Sequence, residues 1–423
     1  LLLTKKDSID TEVRIADAAI HFFTELKSGY QPVSLDYDGL KYSPVLGRLV
    51  PDLIKAMEAG NLAALFWQLQ PKSTEYTKAI AKLNWFQGVV RQEDFKEVEI
   101  ISSKADSANK PLVKKLWNLG FLDSVPLQPS KKQLLSAIKA AQQEFDLLSD
   151  GVLRSTSLEA FNVPVCKRME EVKSALNTLR WLEDVKQTSP VLLLNIPSAS
   201  FSVYEYGQLV LESRVIVGKK STPTPTLSST ITEVILYPYW NVPHKIASRE
   251  LLPLIKKNTG FLNLGNYQVL NKQGKVLNPY SIRWSALSAG NFPYVIRQST
   301  GCDNALGLVK FNFYNPFTVY LHDTPNKLLF SSTRRFYSHG CMRVEKPVEL
   351  AHYLLGNNGR AIDTLIKKGC VNQQSPIIVL PQKQLAVIVF YSTAWFSTDG
   401  SLRFYNDVYD KLNFKEPAKL ALQ

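Results

Sequence analysis

Residues 320–343 read YLHDTPNKLLFSSTRRFYSHGCMR, and two of their side chains suggest a chemistry. Cys341 is a candidate nucleophile, because a thiolate attacks carbonyl carbons readily although an ordinary thiol is mostly protonated at neutral pH. A histidine can accept the thiol proton and later return it to a leaving amine. His322 precedes Cys341 by 19 positions (341 − 322), which leaves room for a strand, a loop and a return. The segment therefore predicts thiol acyl transfer, with Cys341 as nucleophile and His322 as proton acceptor and then donor.

The residues just before this segment alternate as a strand does. Successive side chains of a strand point to opposite faces, so Phe317, Val319 and Leu321 are expected to face the core. The alternate residues, Thr318, Tyr320 and His322, are then expected on the open face, with the Tyr320 phenol beside the imidazole. Pro347 is well placed to begin a helix after Cys341.

The first hundred residues have helical periodicity. Apolar side chains recur with a period of about 3.6, and Ser28-Gly29 is a typical helix end; the apolar positions of this first helix are Ile15, Ala19, Phe22, Phe23 and Leu26. We expect a helical scaffold domain over residues 1–107.

Residues 108–165 predict a small unit of three helices. Pro111 begins the first, Gly120 ends it, and Asp150-Gly151 turns the chain before the third. A linking helix is expected over 166–189. From Pro190 the sequence becomes rich in short apolar runs separated by Gly and Pro turns, so residues 190–423 are expected to be mainly β. Residues 240–310 read as a long irregular connection with many Asn, Gly and Pro.

The composition indicates a globular protein of two or three domains, with 423 residues, 45% hydrophobic and 21% charged. The fold class is thus α+β multidomain. No apolar run approaches the length of a membrane span, so we expect no transmembrane segment. The chain starts at Leu1 without methionine, and we expect that an export segment has been trimmed from it.

The formal net charge of +13 suits an anionic partner such as cell-wall polymer, nucleic acid or lipid headgroups. The basic residues are scattered, and nothing resembles a nucleic-acid-binding motif, so nucleic acid is not expected. The alternative is a basic surface that is only solvated.

Four cysteines are present: Cys166, Cys302, Cys341 and Cys370. None forms a Cys-x-x-Cys pair, and the histidines add no zinc-like spacing, so we expect no metal. A disulfide among Cys166, Cys302 and Cys370 stays open for an exported protein, while a buried free thiol is the commoner state for each.

Four ordered blocks of sequence resemble the YkuD-type L,D-transpeptidases, and in particular their larger, periplasmic YcbB-like branch. The blocks are Trp240-Asn241-Val242-Pro243, Asp303-Asn304-Ala305-Leu306-Gly307, Tyr320-Leu321-His322-Asp323-Thr324-Pro325 and Ser338-His339-Gly340-Cys341. The resemblance implies a C-terminal L,D-transpeptidase catalytic domain in which residues 240–310 cap the catalytic groove. Residues 108–165 resemble a peptidoglycan-binding domain, with wall attachment or a simple spacer as the two interpretations.

The resemblance also implies roles at the site. The backbone carbonyl of Asp323 would orient the second imidazole nitrogen of His322, and His339 and Gly340 would shape the oxyanion region. Arg343 stands where many members have asparagine; its guanidinium either holds a substrate carboxylate or forms a structural ion pair with Glu345 or another acid. Further expected substrate contacts are Ser338, Tyr320, Asn304 and Trp240.

The reaction implied by the family joins two peptidoglycan stem peptides without metal or other cofactor. Cys341 attacks the carbonyl of the third residue of one stem, releases the terminal D-alanine, and passes the acyl group to the side-chain amine of a second stem. Carbapenem β-lactams are expected to acylate the same thiol, and the expected location is the periplasm or cell envelope. Two alternatives stay open: a carboxypeptidase or endopeptidase that transfers the acyl group to water, and a non-catalytic wall-binding protein.

Overall fold

The computed structural model describes residues 5–29, 35–40, 49–106, 108–123, 129–356, 363–364 and 374–412. Four helices begin the chain: α1 Lys5–Ser28, α2 Val50–Glu58, α3 Leu62–Leu69 and α4 Thr74–Val90. The predicted end of α1 is confirmed, because Gly29 follows it with a φ of +70°. The predicted apolar stripe is only half buried: Phe23 and Leu26 pack inward, whereas Ile15 and Phe22 are 64% and 52% exposed.

The predicted unit of three helices is present as α5 Lys110–Asn118, α6 Lys131–Glu144 and α7 Ser155–Phe161. A capping box between Ser130 and Gln133 begins α6, and Gly120, at φ +86°, follows α5. The linking helix is α8, Val165–Thr188. A single apolar core joins α4 to this unit and to a hairpin at 394–404, so the core crosses the boundary expected at 107/108.

Arg168 of α8 lies at the centre of this shared core. Its guanidinium lies 4.6 Å from the Phe145 ring centroid and 4.8 Å from that of Phe404, and it donates to the Glu171 carboxylate at 2.7 Å. The Thr393 hydroxyl donates to the same carboxylate at 3.0 Å. Because a buried charge needs a partner and hydrogen bonds, these contacts tie the helices to the C-terminal part of the chain.

The C-terminal half is mainly β, as predicted. The strands of its large sheet are β1 Tyr37–Asp38, β2 Val191–Asn195, β3 Ser200–Glu205, β4 Gln208–Gly218, β5 Leu227–Leu236, β10 Val309–Phe313, β11 Leu321–His322, β12 Phe336–Ser338, β13 Met342–Val344, β14 Ile377–Val379 and β15 Ala386–Phe390. They follow the order β1-β5-β10-β11-β13-β4-β3-β2-β15, with β12 beside β4 and β14 beside β5. The sheet closes on itself, because β15 pairs with β2 on one side and with β5 on the other.

Inside this closed sheet lies an apolar core of strand residues. The predicted helix at Pro347 is α12, Pro347–Leu355, and its Leu350 and Leu354 side chains pack into that core. The hairpin of β16 Ala394–Phe396 and β17 Leu402–Phe404 follows the sheet. No helix among the described residues is long and apolar enough to span a membrane.

Residues 240–298, which we call the insertion, join β5 to β10 and fold as a unit. Four strands pair in the order β6-β9-β7-β8, and they are β6 Trp240–Asn241, β7 Tyr267–Leu270, β8 Val276–Leu277 and β9 Val295–Gln298. Three short helices and single turns complete it: α9 His244–Ile246, α10 Leu252–Lys257, α11 Phe261–Leu264, a π turn Ala247–Leu251, and 3-10 turns Pro279–Ser281 and Trp284–Ala286. The insertion has an apolar core around Trp284 and Ile296, so the expectation of an irregular connection was wrong.

Cys302 is disulfide-bonded, whereas Cys166 and Cys341 are free thiols. Of the two states left open for Cys302, a disulfide and a buried free thiol, the disulfide is therefore the one present. Cys370 lies outside the described residues.

Candidate active site

Three neighbouring strands bring the predicted residues together on one face of the sheet. His322 of β11 pairs with Lys310 of antiparallel β10 and with Arg343 of parallel β13. Paired residues on neighbouring strands point to the same face, so the three side chains form a row, with His322 in the middle. Their neighbours Phe311, Leu321 and Met342 are buried in the core on the other face.

Cys341 immediately precedes β13 and lies beside Tyr320, whose carbonyl accepts the Met342 N–H at 3.0 Å. His322 follows Tyr320 by two positions, so Cys341 and His322 are diagonal neighbours on the same face. The Cys341 thiol hydrogen-bonds with the Tyr320 phenol, and the centroid of that ring lies 5.6 Å from the centroid of the His322 ring, so both groups border Tyr320. The predicted nucleophile and base thus share one surface.

The strand that carries His322 is shorter than expected. Thr318 has a φ of +56°, which breaks the alternation of an extended chain. Val319 and Leu321 are buried as predicted, but Phe317 is 40% exposed, so its expected place in the core was wrong. His322 is also buried rather than open.

The imidazole of His322 is oriented as expected. Its Nδ1 lies 2.5 Å from the backbone carbonyl oxygen of Asp323; a carbonyl can only accept, so Nδ1 carries the proton and Nε2 is left as the basic nitrogen. Burial lowers the pKa of His322 to about 3. The hydrogen bond to the Asp323 carbonyl raises this pKa, and the positive charges of Arg343 and Lys310 lower it further. The resting imidazole is therefore neutral.

The Asp323 side chain fixes the loop that provides this carbonyl. Its carboxylate accepts the N–H groups of Leu308 at 2.9 Å and Thr324 at 2.7 Å, and it pairs with Lys327. Gly307 comes so close that an added Cβ would lie 2.4 Å from this carboxylate, and its φ is +60°. Only glycine suits that position.

The Cys341 thiol is half-buried against the core of the sheet. Burial raises its pKa, whereas hydrogen bonding to the Tyr320 backbone and phenol, and the charges of Lys310 and Arg343, lower it in part. The resting pair is thus a neutral thiol and a neutral imidazole. Because neither group is charged beforehand, the thiol proton must leave as the sulfur attacks.

Tyr320 connects the site to its surroundings. Its ring centroid lies 5.6 Å from that of His322 in an edge-on arrangement, and Lys310 Nζ lies 4.0 Å from its centroid. Burial and, to a smaller extent, the nearby Cys341 hold the pKa of its phenol well above the ordinary range. A hydrogen bond with Trp240 lowers that pKa in part. Trp240, at the start of the insertion, therefore reaches the reacting face through this phenol.

The loop of Ser338 to Cys341 is held by its own hydrogen bonds. The buried Ser338 hydroxyl donates to the Cys341 carbonyl at 2.6 Å and accepts the Gly340 N–H at 3.1 Å. The Gly340 N–H is thus occupied, which disfavours it as the expected oxyanion donor. The Cys341 N–H has no acceptor among the described residues, so it is the better candidate. Ser338 has internal partners rather than an open face for substrate.

A segment that the sequence analysis did not single out braces this loop from below. Thr224 is fully buried; its hydroxyl donates to the Gly340 carbonyl and accepts the Gly218 N–H, both at 2.9 Å. The Tyr409 phenol accepts the Thr224 N–H at 3.2 Å and donates to the Gly218 carbonyl at 2.6 Å. No pattern in the sequence Thr222-Pro223-Thr224-Pro225 predicts this contact.

His339 contacts the insertion. Its Nε2 lies 2.9 Å from a carboxylate oxygen of Glu250, which belongs to the π turn. The contact links the insertion to the loop that carries the thiol, and it gives His339 a partner outside the row formed by Lys310, His322 and Arg343.

Arg343 does not form the ion pair considered above. Glu345 pairs instead with Arg214, whose Nε donates at 2.9 Å, and Arg343 has no acidic partner within the described ranges. Burial lowers the pKa of the Arg343 guanidinium, and Cys341 raises it. The structural alternative with Glu345 is therefore wrong, and the charge remains available on the reacting face.

Asn304 is buried and bonded internally. Its amide nitrogen donates to the carbonyls of Pro238 and Ser299 at 3.0 and 2.9 Å, and its oxygen accepts the Leu306 N–H at 2.8 Å. These bonds shape the loop before β10, so the contact with substrate expected of Asn304 has no support in this geometry.

Residues 189–379 match the family profile of the L,D-transpeptidase catalytic domain, YkuD. A putative L,D-transpeptidase of Haemophilus influenzae is 38% identical over 238 residues, which are 56% of this chain and 47% of that protein. The chain thus spans about half the length of the curated relative that it matches.

Solved structures of the same family are much more distant. An L,D-transpeptidase from Mycobacterium smegmatis is 14% identical, with 48% of this chain and 58% of that chain covered and a TM-score of 0.24. The catalytic domain of an Enterococcus faecium L,D-transpeptidase acylated by ertapenem is 13% identical, with 45% and 97% covered and a TM-score of 0.20. The match of the family profile, which covers less than half of the chain, is therefore the more informative finding. Residues 189–379 are similar to the L,D-transpeptidase catalytic domain of the YkuD family, and His322 and Cys341 lie inside the matched residues.

Proposed function

We propose that this protein is a peptidoglycan L,D-transpeptidase that links the third residues of two stem peptides through a Cys341 acyl-enzyme. The observation that carries the proposal is the shared face of Cys341, Tyr320 and His322, with Nδ1 of His322 committed to the Asp323 carbonyl. That arrangement leaves the basic Nε2 free to take a proton from the thiol.

In the first half-reaction the Cys341 sulfur attacks the carbonyl carbon of the third stem residue. The thiol proton passes to Nε2 of His322 and from there to the nitrogen of the departing D-alanine, while the peptide C–N bond breaks and a thioester forms. The Cys341 N–H is the proposed donor to the oxyanion, and one such donor is typically worth about 3 kcal/mol. Arg343 and Trp240 are proposed to hold the stem beside the sulfur.

In the second half-reaction the side-chain amine of another stem attacks the thioester. Its proton passes to His322 and then to the Cys341 sulfur as the C–S bond breaks, and a new amide bond joins the two stems. If water replaces the amine, the same acyl-enzyme is hydrolysed and the protein is a carboxypeptidase or endopeptidase. No cofactor takes part in either outcome.

We further propose an extracytoplasmic site of action, in the periplasm or cell envelope, where such stems are found. The unit of α5, α6 and α7 is proposed to attach the enzyme to the wall. The basic net charge of +13 favours an anionic polymer as partner.

Two measurements test the proposal. Intact-protein mass spectrometry after carbapenem exposure should show one covalent adduct on the wild type and on Cys166→Ala, which removes the other free thiol of the described residues, but none on Cys341→Ala. Mass spectrometry of muropeptide products should then show D-alanine release and cross-linked dimers. Shortened stems without dimers would replace the transferase by the hydrolase, and full turnover by Cys341→Ala would remove the cysteine mechanism.

A further inference from the structure

An open groove begins at the reacting face and runs outward beside β10. It has a volume of about 500 Å³, and its polar lining consists of Lys310, Asn312, Tyr314, Asn315, Thr318 and Tyr320. Lys310 and Asn312 occupy the half-buried positions of β10, while their neighbours Val309, Phe311 and Phe313 are buried in the core. Lys310, which pairs with His322, and Tyr320, whose ring lies beside the imidazole, both line the groove, so it borders the face that carries His322.

Lys310 stands at the inner end of this groove as a cation without a paired acid. Its ammonium lies 4.0 Å from the Tyr320 ring centroid and makes no ion pair with any residue that the structure describes. Glu233 of β5 raises the pKa of Lys310, against the lowering effect of burial, but it forms no ion pair with it, and its carboxylate accepts from the Asn312 amide at 2.7 Å. A partly buried charge is costly unless it is paired, so an unpaired ammonium in a groove favours an anionic ligand.

The position of Lys310 matches the needs of a reaction between two anionic peptides. Lys310 lies on one side of His322, and Arg343 lies on the other side. Two cations therefore flank the base. We propose that Lys310 and the groove it heads form a subsite for a carboxylate of a peptidoglycan stem, separate from the position of Arg343. This inference rests on the proposed function for the identity of the ligand.

The stem that supplies this carboxylate is either the acyl donor or the acceptor. Both are peptides that end in a free carboxylate, and a lysine ammonium recognises either as a point charge. Amidation of a carboxylate removes its charge with little change in size. An acid and its amide are therefore a matched pair of probes for the subsite.

The test measures binding without turnover, in the Cys341→Ala protein. Calorimetry compares a donor tetrapeptide stem and an acceptor tripeptide stem, each in acid form and with single carboxylates amidated. We expect one acid form to bind roughly tenfold or more tightly than its amide, since a hydrogen bond to a charged group is worth that much. The added substitution Lys310→Met should abolish this preference, and Lys310→Arg should largely keep it.

The matched control is Lys272→Met, which removes an exposed lysine of the insertion and should leave the preference unchanged. Thermal melts check that all variants are folded. The subsite would be overturned by either of two results. One is that the Lys310→Met protein still binds the acid form more tightly than the amide, to the same degree as the Cys341→Ala protein. The other is that the Cys341→Ala protein itself binds acid and amide equally. The proposed function fails separately, if the protein with Cys341 intact releases no D-alanine while the binding preference is still measured.

Discussion

Lys310 and His322 face each other across the antiparallel pair of β10 and β11. With Arg343 opposite His322 on the other neighbouring strand, the imidazole lies between two cations within a buried site. Burial lowers the pKa of His322 to about 3, and both cations contribute in the same direction. A base that is always neutral at rest is ready to accept a proton, and its imidazolium form exists only while the reaction proceeds.

The lowered pKa of His322 makes the stability of the fold depend on pH. An unfolded histidine titrates near 6.5 and the folded one near 3, so between these values the unfolded chain binds a proton that the folded chain does not. The free energy of unfolding should therefore fall with decreasing pH across this window, by about 1 kcal/mol per pH unit from this residue.

Urea unfolding of the wild type and of His322→Gln at several pH values measures this contribution. The difference in unfolding free energy between the two proteins should be constant above pH about 7 and change as pH falls below about 6.5. Carboxylates titrate in both proteins and cancel in the difference. Parallel curves over the whole range would mean that His322 has an ordinary pKa.

Tyr320 is expected to control the reactivity of the thiol. Its phenol lowers the pKa of Cys341 against the raising effect of burial, so Tyr320→Phe should move the pKa of the thiol upward while keeping the backbone N–H. Below that pKa the rate of alkylation by iodoacetamide should fall about three- to tenfold, since one pKa unit is a factor of ten in thiolate.

Cys166 is the internal reference for this measurement, because it is a second free thiol in the part of the chain that the structure describes and lies far from Cys341 in sequence, in α8. Peptide mass spectrometry follows the alkylation of each cysteine separately. The alkylation rate of Cys166 should not respond to Tyr320→Phe. An unshifted pH profile for Cys341 would show that the phenol does not act on the sulfur.

Gly340 is required by backbone conformation rather than by space. Its φ is +116°, yet an added Cβ would meet its nearest neighbours, Pro223 and Val319, only at 3.6 Å. Gly340→Ala should therefore lower the unfolding free energy by about 1–3 kcal/mol through strain and slow acylation of Cys341. Gly290→Ala, in open space within the insertion, should change neither the denaturation midpoint nor the acylation rate; similar effects of the two substitutions would contradict the conformational explanation.

The features of this site that could be predicted are those encoded by residues close to one another in the sequence. Cys341 and His322 are joined by a loop short enough to suggest a return, and Ser28-Gly29, Pro111 and Gly120 marked the end of α1 and both ends of α5. Lys310 was not predicted, because only the pairing register of β10 with β11 places it beside His322, and no local sequence pattern reveals that register. The insertion was misjudged for a related reason: its strands are two to four residues long, too short for periodicity to register.

Phe317 shows the limit of alternation as a guide. The pattern of residues 317–322 is that of a strand, but Thr318 adopts φ +56°, and the rotation it introduces turns Phe317 toward solvent. Asn304 and Ser338 stay predictions as substrate contacts, and the structure shows a further use of their side chains. Both lie within recognisable motifs, but their polar atoms are used by backbone groups of their own loops.

The bond between Thr224 and Gly340 supports the catalytic loop from outside its own sequence, and it yields the last prediction. Thr224→Val keeps the shape of the side chain but leaves the Gly340 carbonyl and the Gly218 N–H without their partner. Unsatisfied buried groups cost about 1–3 kcal/mol each, so the melting temperature should drop and carbapenem acylation of Cys341 should slow.

Tyr409→Phe, which removes the bonds to the Gly218 carbonyl and the Thr224 N–H, should have a smaller effect in the same direction. Thr398→Val, at an exposed threonine, is the control. If Thr224→Val lowers stability but leaves the acylation rate at the wild-type value, the threonine holds the fold without positioning the thiol.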